Sequence, residues 1–204
     1  MDDERYEENT WNRFQERTFD RPAHEILLLA LQKFDGFKGY SIDLGCGAGR
    51  DTIELLKNGW EVLAIDNNPY SFEKIKSKLD EKQLAKLETK KQTFEELKLP
   101  KSDLINAAFS IPFCNPKYFN EFWTTVIDAI NINGRFSGNF LGDRDGWINR
   151  TDIEMSFFNK ENVLELFKGF TIEYFEEKEY DKKTVLGNSK HWHVFNVIAK
   201  KCKL

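Results

Sequence analysis

Beyond residue 39, short apolar runs alternate with stretches whose apolar positions recur at helical spacing. "YSIDL" (40–44) is a short buried strand, and "RDTIELLKNG" after it is a helix closed by Gly59. "EVLAID" (61–66) is the second strand. Asn68-Pro69 then supplies an N-cap and a first-turn proline for a helix running to about Leu84. "LETKKQ" (87–92) is more polar, as a strand at or near a sheet edge would be. "DLINAAF" (103–109) is buried, "PKYFNEFWTTVIDAI" is an amphipathic helix, and Asn133-Gly134 turns into the strand "RFSGNFL". "NKENVLELFKG" is a helix. "FTIEYFEE" and "HWHVFNVIAK" close the chain, and the 13 residues between them carry no helical period, so the two strands pair as an antiparallel hairpin.

Strand–helix alternation of this kind predicts an α/β protein whose sheet is mostly parallel, with helices on both faces. The head of the chain differs. Segment 1–21 is charged yet carries Tyr6, Trp11, Phe14 and Phe19, so it reads as a short helix or arm that docks its aromatics, a lid ahead of one domain over 22–204. Pro22 opens the first helix of that domain, "PAHEILLLALQKF", and Gly36 and Gly39 end it.

Composition narrows the functional classes. The 204 residues suit one domain, and 40% hydrophobic content with 18 Phe supplies a substantial core. A net charge of -4 disfavours a protein whose task is gripping nucleic acid. No apolar run approaches the roughly 18 residues of a membrane span. The acidic start "MDDERYEENTW" is neither a secretory signal nor a transit peptide. Cys46, Cys114 and Cys202 are far apart and fit free thiols in a cytoplasmic protein; with three histidines in all, no metal site is expected.

The chemistry concentrates in "SIDLGCGAGR" (41–50), the first strand–helix turn, where open parallel sheets bind ligands. The glycines stand at 45, 47 and 49, and Arg50 occupies the place where GxGxxG has its last glycine; the lysine and hydroxyl of a phosphate loop are also missing. The charged Arg50 at the helix start argues against a tightly packed diphosphate. Asp43, just ahead of the turn, suits a ligand with a positive amino group. Asp66 ends the second strand 21 residues after Gly45, where a carboxylate can accept from both hydroxyls of an adenosine ribose.

"SIDLGCGAGRDTIELLKNGWEVLAIDNNP" resembles motifs I and II of the class I S-adenosylmethionine-dependent methyltransferases, and in detail bacterial small-molecule enzymes of the tellurite-resistance and thiopurine type. The resemblance implies a Rossmann-like three-layer fold with a seven-stranded, mostly parallel sheet in the order 3-2-1-4-5-7-6, the last strand antiparallel. It implies S-adenosyl-L-methionine as cofactor. The backbone of Gly45, Cys46 and Gly47 would pass beneath its methionine and ribose, Asp43 would reach its amino group, Asp66 its ribose hydroxyls and Asn67 its adenine. Gln92, Thr93 and Phe94 would lie near the adenine amine, where the family often has an Asp. Ala107, Ala108 and Phe109 would line the wall. Arg50 and Asp51 either contact the carboxylate end or pair with neighbours on the helix.

Methyl transfer needs a positioned nucleophile and excluded water, and a base only where the acceptor must lose a proton. No catalytic motif is therefore obligatory. The fifth strand ends in "GDRDGW" and the antiparallel last strand begins with "KHWH" on the same rim, so Asp143, Arg144 and His191 are the catalytic candidates, with Trp147 and His193 beside them. Trp11 could close over a cationic sulfonium. "SIPFC" lacks the first Asn/Asp and the Pro pair of nucleic-acid amino-methyltransferases, so a small-molecule acceptor is expected, gripped by the arm and rim loops. The alternatives are an NAD-dependent oxidoreductase and a non-catalytic S-adenosylmethionine-binding protein. Oligomeric state stays open.

Overall fold

A computed structural model of the chain describes residues 2–150 and 152–202, with side chains from residue 9 onward. The strands are β1 (Tyr40–Leu44), β2 (Glu61–Asp66), β3 (Leu87–Lys91), β4 (Ser102–Ala107), β5 (Ile130–Gly142), β6 (Phe157–Phe158), β7 (Phe170–Lys183) and β8 (Ser189–Lys201). They form one sheet in the order β3-β2-β1-β4-β5-β8-β7, with β6 paired beside the end of β5. β8 runs antiparallel to both β5 and β7, and the other pairs are parallel. The order expected from the resemblance is thus observed, the terminal strand inserted between the fifth strand and its predecessor in sequence. The count is eight rather than seven, because the two-residue β6 is too short to leave an apolar period.

The helices are α1 (Asp2–Thr18), α2 (Glu25–Gln32), α3 (Arg50–Lys57), α4 (Phe72–Ser77), α5 (Glu81–Leu84), α6 (Phe119–Ala129) and α7 (Lys160–Leu166). Successive strand residues point to opposite faces. On one face Val62 and Leu104 pack with Leu27, Leu55, Leu56 and Trp60 from α2, α3 and the turn after α3. On the other, Leu63, Ile105, Phe136 and Phe140 meet Trp123 of α6 and Val163 of α7. Trp123 lies edge-on to Phe136 at 5.3 Å and to Phe167 at 5.3 Å, so much of the phenylalanine content fills this second layer.

Several boundaries differ from the expected ones for local reasons. The helix expected from Asn68 to Leu84 is a short 3-10 turn plus α4 and α5, because Asp80 and Gln83 form a capping box that restarts the chain. α2 begins at Glu25 rather than Pro22. β4 stops at Ala107, since Phe109 takes a φ of 55°. The connection between the last strands is mostly strand itself: Lys178 to Lys183 pair with Val194 back to Ser189, leaving only 184–188 as turn. Charge alternation hides that segment, which projects beyond the end of β5.

The arm is a helix of 17 residues. Its Trp11 packs edge-on to Phe113 at 4.8 Å, and Asn12 accepts from Asn68 Nδ2 at 2.6 Å. Glu16 accepts from the Tyr70 hydroxyl at 2.8 Å, and Arg17 donates to the carbonyl of Val185 at 3.2 Å. Lys78 sits 3.8 Å from the centre of the Phe19 ring. α1 therefore touches the exits of β2 and β4 and the β7–β8 turn. The side chain of Tyr6 lies outside the described ones.

Candidate functional site

The first turn is built as its glycines require. Gly45, Gly47 and Gly49 have φ of 64°, 50° and 77°, a region side chains disfavour. A Cβ on Gly45 would stand 2.4 Å from Cβ of Ser110, so the backbone there is pressed against the β4 exit. At Gly47 the same construction meets only a carbonyl oxygen at 3.9 Å, so the surface above it is clear.

Asp66 fixes the turn from the second strand. Its Oδ2 accepts from the Gly47 N–H at 2.8 Å and its Oδ1 from the Asn68 N–H at 2.8 Å. Burial pushes the Asp66 carboxyl above its ordinary range, and the two N–H bonds offset this only in part. Asn67 beside it is exposed. Cys46 is buried, which pushes its thiol up, and its N–H bonds to Ile65.

Beneath the turn lies a buried polar cluster. Asp43 accepts from Thr52 Oγ1 at 2.6 Å and from Asn106 Nδ2 at 2.9 Å. Asn106 Nδ2 also reaches Asp51 at 2.9 Å. Burial, reinforced by the nearby Asp51 charge, pushes Asp43 up to about 7 although the Thr52 and Asn106 bonds pull it down. Asp51 is driven the other way: burial raises it, but His24, through its ring, its charge and its backbone N–H, and then Asn106 hold it below its ordinary value. His24 Nδ1 stands 2.9 Å from Asp51 Oδ2, its N–H donates to Oδ1 at 2.8 Å, and its Nε2 meets the Arg50 guanidinium. Arg50 also donates to the Pro22 carbonyl at 3.4 Å. Arg50 and Asp51 thus both meet His24, which precedes α2, rather than neighbours on their own helix.

The remaining cofactor candidates gather around the same turn. Gln92 donates its N–H to the Asp66 carbonyl at 3.1 Å, and Thr93 follows it, half-buried. Phe94 lies 3.6 Å from the Gly45 Cβ position and packs on Phe122 at 4.9 Å. Ala108 packs with Ile26 and Ala30 of α2. Phe109 donates its N–H to Asn139 Oδ1 at 3.2 Å and has its ring 5.5 Å from His24. Among the described residues, Gln15 Oε1, Gln92 Oε1, Ser102 Oγ, Asn106 Oδ1 and Ser110 Oγ are buried without a partner. Asn106 lies beneath the turn and Ser110 against it, as expected where a polar ligand completes the bonding, whereas Gln92 follows β3, Gln15 is on α1 and Ser102 stands at the far end of β4. The clear surface over Gly47 and the orphaned atoms of Asn106 and Ser110 fit a nucleoside-bearing cofactor.

The catalytic candidates are brought together, but with one another. Arg144 pairs with Asp143 at 3.6 Å, with Glu177 at 3.0 Å and with Glu179 at 2.9 Å. His191 bridges Asp181 at 2.8 Å and Glu179 at 3.0 Å, and both carboxylates raise its pKa. His193 is fully buried under this network and accepts from the Arg144 N–H at 3.2 Å. Trp147 is directed elsewhere. It and Trp192 enclose Lys190 Nζ, 4.3 and 3.5 Å from their ring centres, and Lys190 is paired with buried Asp145 at 2.6 Å. Alternation along β8 thus divides the expected group between the two faces of the ribbon. Asp143, Arg144 and His191 line neither the cleft beside Phe94 and Phe122 nor the one between α2 and the face of β5, β8 and β7.

Comparison with known proteins bears on this geometry. Residues 42–134 match the family model described as "Methyltransferase domain". The match covers a little under half of the chain. The match begins inside β1 and ends in β5, so it takes in the glycine turn, Asp66 and the β4 exit. Among solved structures, TehB from Haemophilus influenzae superposes with a TM-score of 0.73 at 19% identity, over 88% of this chain and 62% of that one. This chain therefore spans less than two thirds of TehB. The 1,6-didemethyltoxoflavin-N1-methyltransferase of Burkholderia thailandensis, solved with 1,6-didemethyltoxoflavin and S-adenosylhomocysteine, gives a TM-score of 0.65 at 19% identity over 88% and 79%. Magnesium protoporphyrin IX methyltransferase from Synechocystis PCC 6803, solved with S-adenosylhomocysteine, gives 0.69 at 12% over 95% and 94%. At such identities these likenesses establish the fold alone. No curated protein matches the chain in sequence.

Sequence reasoning did not single out His24, Asn106, Ser110 or, on the arm, Gln15. His24 looks like one more residue of an apolar helix, and its partner Asp51 is 27 residues away. Only the fold, which sets the start of α2 beside the start of α3, brings the pair together.

Proposed function

We propose that this chain transfers the methyl group of S-adenosylmethionine to a small molecule by in-line displacement. The observation that carries the reading is the turn itself: Gly47 is held by Asp66 with its outer surface clear. When bound, the cofactor supplies a methyl carbon on a positive sulfur, which departs as a neutral thioether as the acceptor's lone pair attacks. In this reading Gly45, Cys46 and Gly47 form the seat. Asp66 takes the ribose hydroxyls, Asn67 lies by the adenine, and Gln92, Thr93 and Phe94 close that end. Ser110 and Asn106 use their orphaned atoms toward the ligand. Asp43 acts through Thr52 and Asn106, and Arg50 and Asp51 position His24. Ala108 and Phe109 form the wall toward the acceptor.

α1 is the lid over the 22–204 domain, with Trp11 and Gln15 facing inward to exclude water. Its contacts to Asn68, Phe113 and Val185 support this role. The net charge of -4 favours a small acceptor over a nucleic acid. No helix among the described residues is long and apolar enough to cross a membrane, and the three cysteines are free; we place the protein in the cytoplasm. The test is formation of S-adenosylhomocysteine from S-adenosylmethionine across a panel of small acceptors. Acceptor-dependent product supports the reading. Tight binding of S-adenosylhomocysteine with no turnover on a broad panel assigns the chain to the non-catalytic class.

A further inference from the structure

A second cleft, of about 230 Å3, lies between the start of α2 and the sheet face made by β5, β8 and β7. His24 belongs to it and also to the cluster beneath the glycine turn, so the cleft opens beside the cofactor seat. Phe109 and Tyr180 form its aromatic sides. Both are braced from behind by Trp192, edge-on to Phe109 at 6.0 Å and stacked on Tyr180 at 6.4 Å with the planes 16° apart.

The floor is a one-way line of hydrogen bonds. The Phe109 N–H occupies Asn139 Oδ1, so Asn139 must donate onward to Asn196 Oδ1, and Asn196 Nδ2 donates to Glu176 Oε2 at 3.0 Å. The Tyr174 hydroxyl and Lys178 Nζ reach the same oxygen at 2.7 and 2.9 Å. Burial works against the Glu176 charge, but these donors prevail and hold its carboxyl below the ordinary range. All three converge on Oε2, and Oε1 takes none of them. Glu25 adds a second carboxylate to the lining.

We infer that this cleft is the acceptor site and that it selects a flat aromatic amine or nitrogen heterocycle, with Glu176 Oε1 accepting its N–H and Phe109 and Tyr180 supplying the stacking faces. The inference rests on the methyltransferase reading. Two carboxylates against one paired lysine disfavour an anionic ligand of the same shape.

Calorimetry on the full chain tests it, with aminoquinoline as probe and quinoline carboxylate as its anionic counterpart, each with and without S-adenosylhomocysteine. Aminoquinoline is expected to bind at least about 10-fold more tightly than the carboxylate. Glu176→Gln should weaken it about 10-fold by removing the charged acceptor. Tyr180→Ala should weaken it by about 3- to 10-fold through lost stacking. Tyr180 is 38% exposed, so that variant keeps the fold even if Glu176→Gln does not. Glu121→Gln, on α6 in the other groove, should change nothing. Absence of saturable aminoquinoline binding, equal affinity for the carboxylate, or indifference to both cleft variants overturns the inference. S-adenosylhomocysteine binding without aminoquinoline binding sinks the cleft assignment alone. The reverse sinks the methyltransferase reading and with it the acceptor role.

Discussion

Replacing Asp43 by Asn should make the protein more stable at high pH relative to the wild type, and less so at low pH. Asp43 is 2% exposed, and its pKa rises from 3.8 to about 7, first by burial and then by the charge of Asp51. A carboxyl raised in the folded state stabilises the fold when protonated, and this contribution is lost as the pH rises through the folded value. The gap between 3.8 and about 7 corresponds to about 4 kcal/mol at about 1.4 kcal/mol per pH unit. Part of it is already lost by about pH 5, so about 2–3 kcal/mol should disappear between about pH 5 and about pH 8. Asp51 does not confuse the comparison. Its carboxyl lies below 3.8 in the fold, so its stabilisation is present above that value and is lost only in stronger acid. Asparagine fits the site: its carbonyl can face Asn106 Nδ2, and its amide can donate to Thr52, whose hydroxyl also accepts. Urea unfolding of both proteins at several pH values measures the difference between them, and other titrations cancel. A gap between variant and wild type that stays constant to about 0.5 kcal/mol over this range would refute the reasoning.

Gly45→Ala combines a positive φ with a Cβ 2.4 Å from Ser110. It should lose roughly 2–4 kcal/mol in urea unfolding, the sum of backbone strain and overpacking, and S-adenosylhomocysteine binding with it. Asp66→Asn can accept only one of the two N–H bonds and carries no charge; calorimetry should show affinity for S-adenosylhomocysteine down by about 10- to 100-fold. Asp145→Asn strands the cation of Lys190, 2% exposed at its side chain, and should cost about 3–5 kcal/mol of unfolding free energy. The double change with Lys190→Met should recover most of that loss, and a double variant as unstable as the single one would contradict the ion-pair account.

The strands β1, β2 and β4 were legible because both their faces are buried, which leaves continuous apolar runs. The glycine turn was legible because its backbone conformation demands glycine. The outer half of the β7–β8 ribbon was not, since its alternation is of charged residues on a largely solvated edge. The Asp80–Gln83 box was present in the sequence as a start signal inside an expected helix and was outweighed by the surrounding period. No signal in the sequence set where Trp11 docks, whereas Asp66 could be placed beside the glycine turn from element order. The partners of Asp43, Asp51 and His191 could not, because they depend on which element packs beside which. The same holds for the division of Trp147 from Arg144, since one packs on Trp192 and the other on His193, on opposite faces of β8.

The account stands on the claim that this turn seats S-adenosylmethionine rather than a dinucleotide. Titration calorimetry of the wild-type chain with S-adenosylhomocysteine and with NAD examines it directly. The predicted result is saturable binding of S-adenosylhomocysteine, weakened by Asp66→Asn, and none of NAD. Binding of NAD alone would contradict it and return the chain to the oxidoreductase alternative.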